Sequence, residues 1–288
     1  MIRTCFFVAA LSLCGAFPRS ILAHEALATT IDRLQAEMRQ NPAADSLRSQ
    51  RAWLMLDHGL TSAPVAEDID TLWRRPAWRN DALRLRAWHL YLQDRFREAS
   101  AQARRNLRAG IVGPEQYRLL AGAALARRDT AESAHAYLEG WEELHLEEDY
   151  LSMVRLAQGG SARPRSRSVL RRFDTLLDAG VRAYPNSPGV YAEVFQAYLK
   201  NRNPASLRKA LDLSNLGQVR LWPGSVDWKI WHARALLAAG MSDSAQGILL
   251  RAMDILEGET RLRPDSDLAM RLRQEIFELL DSVHVKKK

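Results

Sequence analysis

Apolar residues recur at helical spacing in short segments along the chain, from His24 almost to the last residue. Within each segment they occupy positions i, i+3, i+4 and i+7, which is the pattern of an amphipathic α-helix. Short polar turns such as Gln93-Asp94-Arg95 separate the segments and force neighbouring helices to run antiparallel. No stretch between two turn signals shows the strict alternation of apolar and polar residues that a pair of strands would have. The sequence therefore predicts an all-α fold made of helical hairpins.

The first three helices are expected around Ile31–Met38, from Asp45 to His58, and from about Ala63 to Arg75. The remaining predicted helices cover roughly 80–93, 96–109, 114–127, 130–145, 147–157, 168–183, 188–200, 204–213, 226–239, 242–259 and 265–284. Hydrophobic residues make up 47% of the chain, enough to supply a packed core along this whole length.

One pair of hairpins repeats with a fixed shift. Superimposing residues 80–112 on residues 114–146 aligns Ala99 with Ser133, and the turn at Asp94 with the turn at Arg128, with a shift of 34 residues. A fixed period of this size is typical of stacked helical hairpins, which bury a continuous core only with their neighbours.

This pattern resembles the tetratricopeptide repeat. Tyr117, Leu120 and Ala121 fit the packing positions of the first helix, and Tyr137 fits the large position of the second. Arg86 and His232 depart from the family pattern, because each occupies a position where the family has leucine. The resemblance implies a TPR-like α-solenoid whose concave side binds peptides or proteins.

The N-terminus has the layout of a secretory signal peptide. Arg3 precedes an apolar run at 5–17, and Ala23 is the expected last residue removed, so residues 1–23 are interpreted as a signal peptide and the mature chain as periplasmic. Cleavage there would remove both cysteines, Cys5 and Cys14. The alternative is a lipoprotein that is lipidated at Cys14.

A change in composition predicts a division of the mature chain. Residues 158–168 (QGGSARPRSRS) are rich in Gly, Ser and Arg and contain no large apolar residue, which indicates a flexible basic linker. It would separate an N-terminal helical repeat array at 24–157 from a C-terminal array at 169–288.

Motifs of catalysis are missing from the sequence. It contains no Gly-rich phosphate loop, no Gly-x-Ser-x-Gly elbow and no HExxH helix, and its seven histidines form no i,i+4 pair. We therefore expect no enzyme activity and no cofactor. His24 would become a terminal histidine after cleavage and could offer its amine and its imidazole to a metal ion, although no further ligands are visible.

A concave surface is the remaining candidate site. The register of the repeats places seven residues between the packing positions of the first helices: Arg84, Trp88, Tyr91, Arg118, Gln196, Lys200 and Arg234. Arginine together with aromatic residues is a frequent composition of binding hot spots. Removing residues 1–23 lowers the formal charge from +7 to +5 by the loss of Arg3 and Arg19, which leaves an acidic partner as one option.

The sequence thus predicts a periplasmic, non-enzymatic adaptor or scaffold with a protein or peptide partner and no nucleic acid. One alternative is a periplasmic assembly chaperone for an envelope, secreted or metal-containing protein. Another is an enzyme whose active-site residues are dispersed along the chain. No apolar run in the sequence reaches the length of about 20 residues that a membrane-spanning helix needs.

Overall fold

The computed structural model describes residues 21–158, 167–201, 203–260 and 267–286. These residues form fourteen α-helices and contain no strand. Contacts divide the chain into two compact units, Met1–Arg127 and Arg128–Lys288. The predicted all-α fold of consecutive helical hairpins is confirmed within each unit.

The first unit contains six helices among its described residues: α1 Ile21–Gln40, α2 Asp45–Asp57, α3 Ala63–Trp73, α4 Arg79–Leu92, α5 Phe96–Arg108 and α6 Pro114–Ala126. A short 3-10 turn, Pro76–Trp78, leads into α4. Each helix packs on the next, and α4 also packs on both α2 and α6. The alternate helices α2, α4 and α6 therefore lie side by side, as the first helices of stacked hairpins do.

The second unit contains eight helices in the part of it that the structure describes: α7 Thr130–Leu144, α8 Glu147–Gln158, α9 Arg167–Ala183, α10 Pro188–Asn201, α11 Pro204–Leu216, α12 Val226–Ala238, α13 Ser242–Thr260 and α14 Asp267–Lys286. A π-helical turn, Gly217–Leu221, follows α11. Consecutive helices pack on each other, α8 also contacts α10, and α12 also contacts α14.

Several hairpin turns depend on a residue in the left-handed region. Gly240 has φ +80°, and the backbone N–H of Met241 behind it donates to the carbonyl of Leu236, which closes the helix end as a Schellman motif does. Asp94 and Arg128 are not glycines but have nearly equal φ values of 60° and 62°. They are the two turn residues that the 34-residue shift superimposes, so the turn geometry repeats with the sequence.

Small residues are buried where helices approach each other. Ala99, Ala103, Ala121 and Ala124 are all fully buried in the first unit. Two helices can pack closely only where no large side chain separates them, so alanine at these positions lets the backbones come together. Larger side chains fill the core, namely Leu72 and Leu85 in the first unit and Phe195 and Leu249 in two clusters of the second.

Some sequence-based predictions lie outside the described residues. Most of the predicted signal peptide, both cysteines and most of the predicted linker belong to this group. The two compact units divide between Arg127 and Arg128, whereas the predicted linker 158–168 falls within the second unit. Both the signal peptide and the linker stay predictions. Within the described residues, no helix is long and apolar enough to cross a membrane.

Candidate functional site

A groove in the second unit brings together three of the predicted residues, Gln196, Lys200 and Arg234. Its volume is about 760 Å³. The groove is lined by residues from α8, α10, α11, α12 and α14, namely Gln158, Gln196, Leu199, Lys200, Leu207, Arg234, Leu237, Ala238 and Leu279. The lining therefore combines five apolar side chains with two cations and two amides.

The helical periodicity of α10 determines which side of the helix carries Gln196 and Lys200. Val194, Ala197 and Tyr198 face the core and are buried, so the side of the helix that carries Gln196 and Lys200 is left for the groove. These two residues are four positions apart and therefore lie one above the other on the helix surface. On α12, Arg234 lies between two fully buried alanines, Ala233 and Ala235.

Both cations of the groove have internal contacts. The Lys200 ammonium donates a hydrogen bond to the backbone carbonyl of Gln158, and the amide of Gln158 donates to the carbonyl of Glu193 at 2.9 Å. Arg234 is paired with Glu275 on α14, at 2.8 Å between Nη2 and Oε1. The partner of Lys200 is a neutral carbonyl, so the charge of Lys200 is not neutralised by that contact. Among the described residues that line the groove there is no carboxylate.

The first unit places Arg84, Trp88 and Tyr91 on one side of α4. The guanidinium of Arg84 lies 5.6 Å from the ring centroid of Trp53, and its Nε donates to Glu115 Oε1 at 2.5 Å. This hydrogen bond raises the pKa of Arg84 above its ordinary value. Glu115 is one turn before Arg118 on α6, so the ion pair brings Arg84 to the part of α6 that carries Arg118.

The two aromatic residues of this set pack against each other. The rings of Trp88 and Tyr91 are stacked with centroids 5.3 Å apart, and Phe96 meets Tyr91 edge-on at 5.5 Å. The Tyr91 hydroxyl lies so close to Gly122 that a Cβ there would approach it to 2.7 Å. The indole N–H of Trp88 is enclosed and has no acceptor among the described residues.

Sequence reasoning missed several residues of these sites. Gln158, Leu207 and Leu279 line the groove, and Glu115 and Glu275 hold two of the predicted arginines, yet none of the five was singled out. They come from helices distant in the chain, and the insertion of α9 between α8 and α10 breaks the repeat register that would have located Gln158.

The proposed metal ligand at the N-terminus receives no structural test. The side chain of His24 is outside the described ones. In the part of the chain that the structure describes, no group of three or more His, Cys, Asp and Glu could hold a metal ion.

Among known proteins, this chain has matches in solved structures. No family model matches the chain, and no curated protein matches it. Thirteen chains of solved structures match, among them the crystal structure of yeast Tom70, with a TM-score of 0.40 and 13% identity. The match covers 94% of this chain and 61% of that chain, so the present chain spans less than two thirds of it.

Proposed function

We propose that the protein is a non-enzymatic, TPR-like adaptor or scaffold that binds an extended segment of a protein partner in the groove of the second unit. The observation that carries this proposal is the convergence of Gln196, Lys200 and Arg234 on one cavity of about 760 Å³. That volume is within the usual range of about 300–1,000 Å³ for ligand sites and accommodates several side chains.

The lining of the groove defines the chemistry of the partner segment. Leu199, Leu237 and Leu279 offer apolar contact area, while Lys200 and Arg234 offer charged donors. A segment with apolar side chains next to one or two carboxylates would satisfy both. A partner carboxylate at Arg234 would have to compete with Glu275, so Lys200 is expected to supply the larger share of the charged contact. A hydrogen bond to a charged group contributes about 1.5–3 kcal/mol, so losing both cations would lower the affinity by at least about tenfold.

The surface on α4 and α6 of the first unit is proposed as a second contact area. This surface carries two arginines, Arg84 and Arg118, and the stacked rings of Trp88 and Tyr91. Arginine and aromatic residues often contribute most of the binding energy of an interface. A partner carboxylate at Arg84 would have to compete with Glu115, so this surface is expected to contribute mostly through its aromatic residues.

Export to the periplasm belongs to the same proposal. It rests on the apolar run at 5–17 and on Ala23. N-terminal sequencing of the native protein should give a chain that starts at His24, whereas a lipid-modified Cys14 would support the lipoprotein alternative.

Site-specific photo-crosslinking in the native host tests the groove and captures the partner in the same step. A photoreactive amino acid at Leu207 should give one dominant crosslinked protein, because Leu207 lines the groove and neither of the two cations is replaced. The matched control is Arg208, which is exposed on α11 and is not a lining residue. Equal crosslinking from both positions, or none from Leu207, would contradict the proposal.

A further inference from the structure

Two adjoining cavities lie between α3, α4 and α5 of the first unit. Their volumes are about 350 and 360 Å³, and they have Arg86, Gln102 and Arg105 in common. The first is also lined by Asp70, His89 and Glu98, among others, and the second by Trp73, Leu83, Asn106 and Ala109.

These cavities are separate from the contact surface proposed above for the first unit. At 3.6 residues per turn, Arg86 points roughly opposite to Arg84 and Trp88 on α4. The proposed contact surface is formed by α4 and α6, whereas the cavities are formed by the other side of α4 together with α3 and α5. A ligand here would therefore not cover Arg84, Trp88 or Tyr91.

The second cavity concentrates positive charge. Arg86 and Arg105 are both exposed, and neither forms an ion pair with any described carboxylate. No described carboxylate lines this cavity. Two guanidinium groups that line the same cavity repel each other, and an anion between them would relieve this repulsion.

The first cavity is less basic than the second. Its Glu98 is held by Arg95 through hydrogen bonds of 2.8 and 2.6 Å. Among the described residues that line it, Asp70 is then the one carboxylate without a basic partner. An anion that enters this pair of cavities is therefore expected to settle in the second.

Arg86 is also one of the two residues that depart from the repeat pattern. The repeat resembled by this chain has leucine at that position, where the side chain contributes to packing. In this chain the position is exposed and lines both cavities. Core packing therefore does not require a leucine at this position, and the arginine is free to face the two cavities.

The wall and floor of the second cavity are built from fixed groups. Gln102 and Asn106 are buried, and Gln102 donates to Asn106, which in turn donates to the Leu83 carbonyl at 3.0 Å and to Gln116 at 2.9 Å. Trp73 is 42% exposed, with the guanidinium of Arg79 5.3 Å from its ring centroid. The cavity thus combines an indole surface with a cationic side.

We propose that the second cavity binds the phosphate group of a small phosphomonoester, with Arg86 and Arg105 on the phosphate and Trp73 against the apolar body of the ligand. A phosphomonoester carries close to two negative charges at neutral pH, since its second pKa is about 6. It therefore matches two guanidinium groups, which bind phosphate oxygens with directional hydrogen bonds. A carboxylate carries one negative charge and would neutralise only one of the two guanidinium groups.

Calorimetric titration of the full chain with phenyl phosphate tests this site, with benzoate and inorganic phosphate as comparison probes. Phenyl phosphate should bind, benzoate should bind at least tenfold more weakly, and salt should weaken both. The double variant R86Q/R105Q should lower the affinity for phenyl phosphate at least tenfold. Trp73→Leu should lower the affinity for phenyl phosphate but leave that for inorganic phosphate within twofold.

The matched control is R108Q, because Arg108 is another exposed arginine on α5 and lines neither cavity. It should leave the affinity within twofold of the parent. The proposal is overturned if phenyl phosphate gives no binding at millimolar concentration, if R86Q/R105Q binds as the parent does, or if R108Q weakens binding equally. The last result would indicate general attraction to a basic surface.

Discussion

The carboxylate of Asp68 is fully buried on α3 and receives two hydrogen bonds of 2.8 Å from Arg51 on α2. Arg48 lies 3.5 Å from the same carboxylate. This pair was not predictable from the sequence, because Asp68 is one of three acidic residues close together on this helix, with Glu67 and Asp70, and its partner is 17 residues away. Such contacts follow from how two helices meet, which local periodicity does not specify.

Removing Arg51 should strongly destabilise the first unit. Arg51→Met leaves a buried carboxylate with only Arg48 near it, so we expect a loss of about 3 kcal/mol, the lower end for breaking a buried pair. The double variant R51M/D68L should recover most of this loss, because no uncompensated charge remains. Denaturant unfolding of the three proteins measures both effects. A single-variant loss below about 1 kcal/mol would show that the pair is not buried in this way.

Two turn residues provide a second test on single side chains. Arg128 has φ 62°, a conformation that costs a non-glycine residue about 1 kcal/mol, whereas Gly240 has φ +80° with nothing within 4 Å of an added Cβ. Arg128→Gly should therefore raise the free energy of unfolding by up to about 1 kcal/mol, and Gly240→Ala should lower it by about the same amount. Thermal melts would disprove the turn geometry if both changes had the same sign.

The helices themselves were largely predictable, since most observed boundaries lie within three residues of those expected from periodicity and turns. The π-helical turn Gly217–Leu221 was not expected. There the ring of Trp228 occupies the space that a Cβ on Gly217 would fill, so tertiary packing determines the backbone. Packing also limits what can be predicted of the candidate groove. The repeat register put Gln196, Lys200 and Arg234 on one predicted face, whereas Gln158 and Leu279 line the same groove through packing between distant helices.

The approach of α9 to α8 depends on a glycine. A Cβ on Gly180 would overlap the ring of Tyr150, which is fully buried and donates to the carbonyl of Leu176 at 3.3 Å. Gly180→Ala should therefore cost about 1–3 kcal/mol through overpacking. The matched control is Gly247→Ala on α13, where an added Cβ meets nothing within 4 Å. This substitution should raise the free energy of unfolding by up to about 1 kcal/mol, because alanine has the higher helix propensity. Equal effects of the two substitutions on denaturant midpoints would refute this packing.

High pH should unfold the second unit cooperatively. Burial raises the pKa of four of its tyrosine hydroxyls: Tyr150, Tyr184, Tyr191 and Tyr198. A group whose pKa is raised in the folded state stabilises that state below its unfolded pKa of about 10 and loses this contribution as the pH rises further. Tyrosinate absorbance should therefore increase together with the loss of helical circular dichroism above about pH 10. Complete ionisation of these tyrosines in a still helical protein would contradict their burial.

At the scale of the whole molecule, the central proposal is that the groove of the second unit binds the partner, and calorimetric titration with a synthetic peptide tests it. The peptide is the partner segment that crosslinks to the photoreactive residue at position 207, and the proteins are the parent, K200Q/R234Q and the control R208Q. Because Lys200 and Arg234 line the groove and Arg208 does not, K200Q/R234Q should lose at least tenfold in affinity while R208Q stays within twofold of the parent. Equal affinity of all three proteins for the peptide would contradict the groove as the binding site.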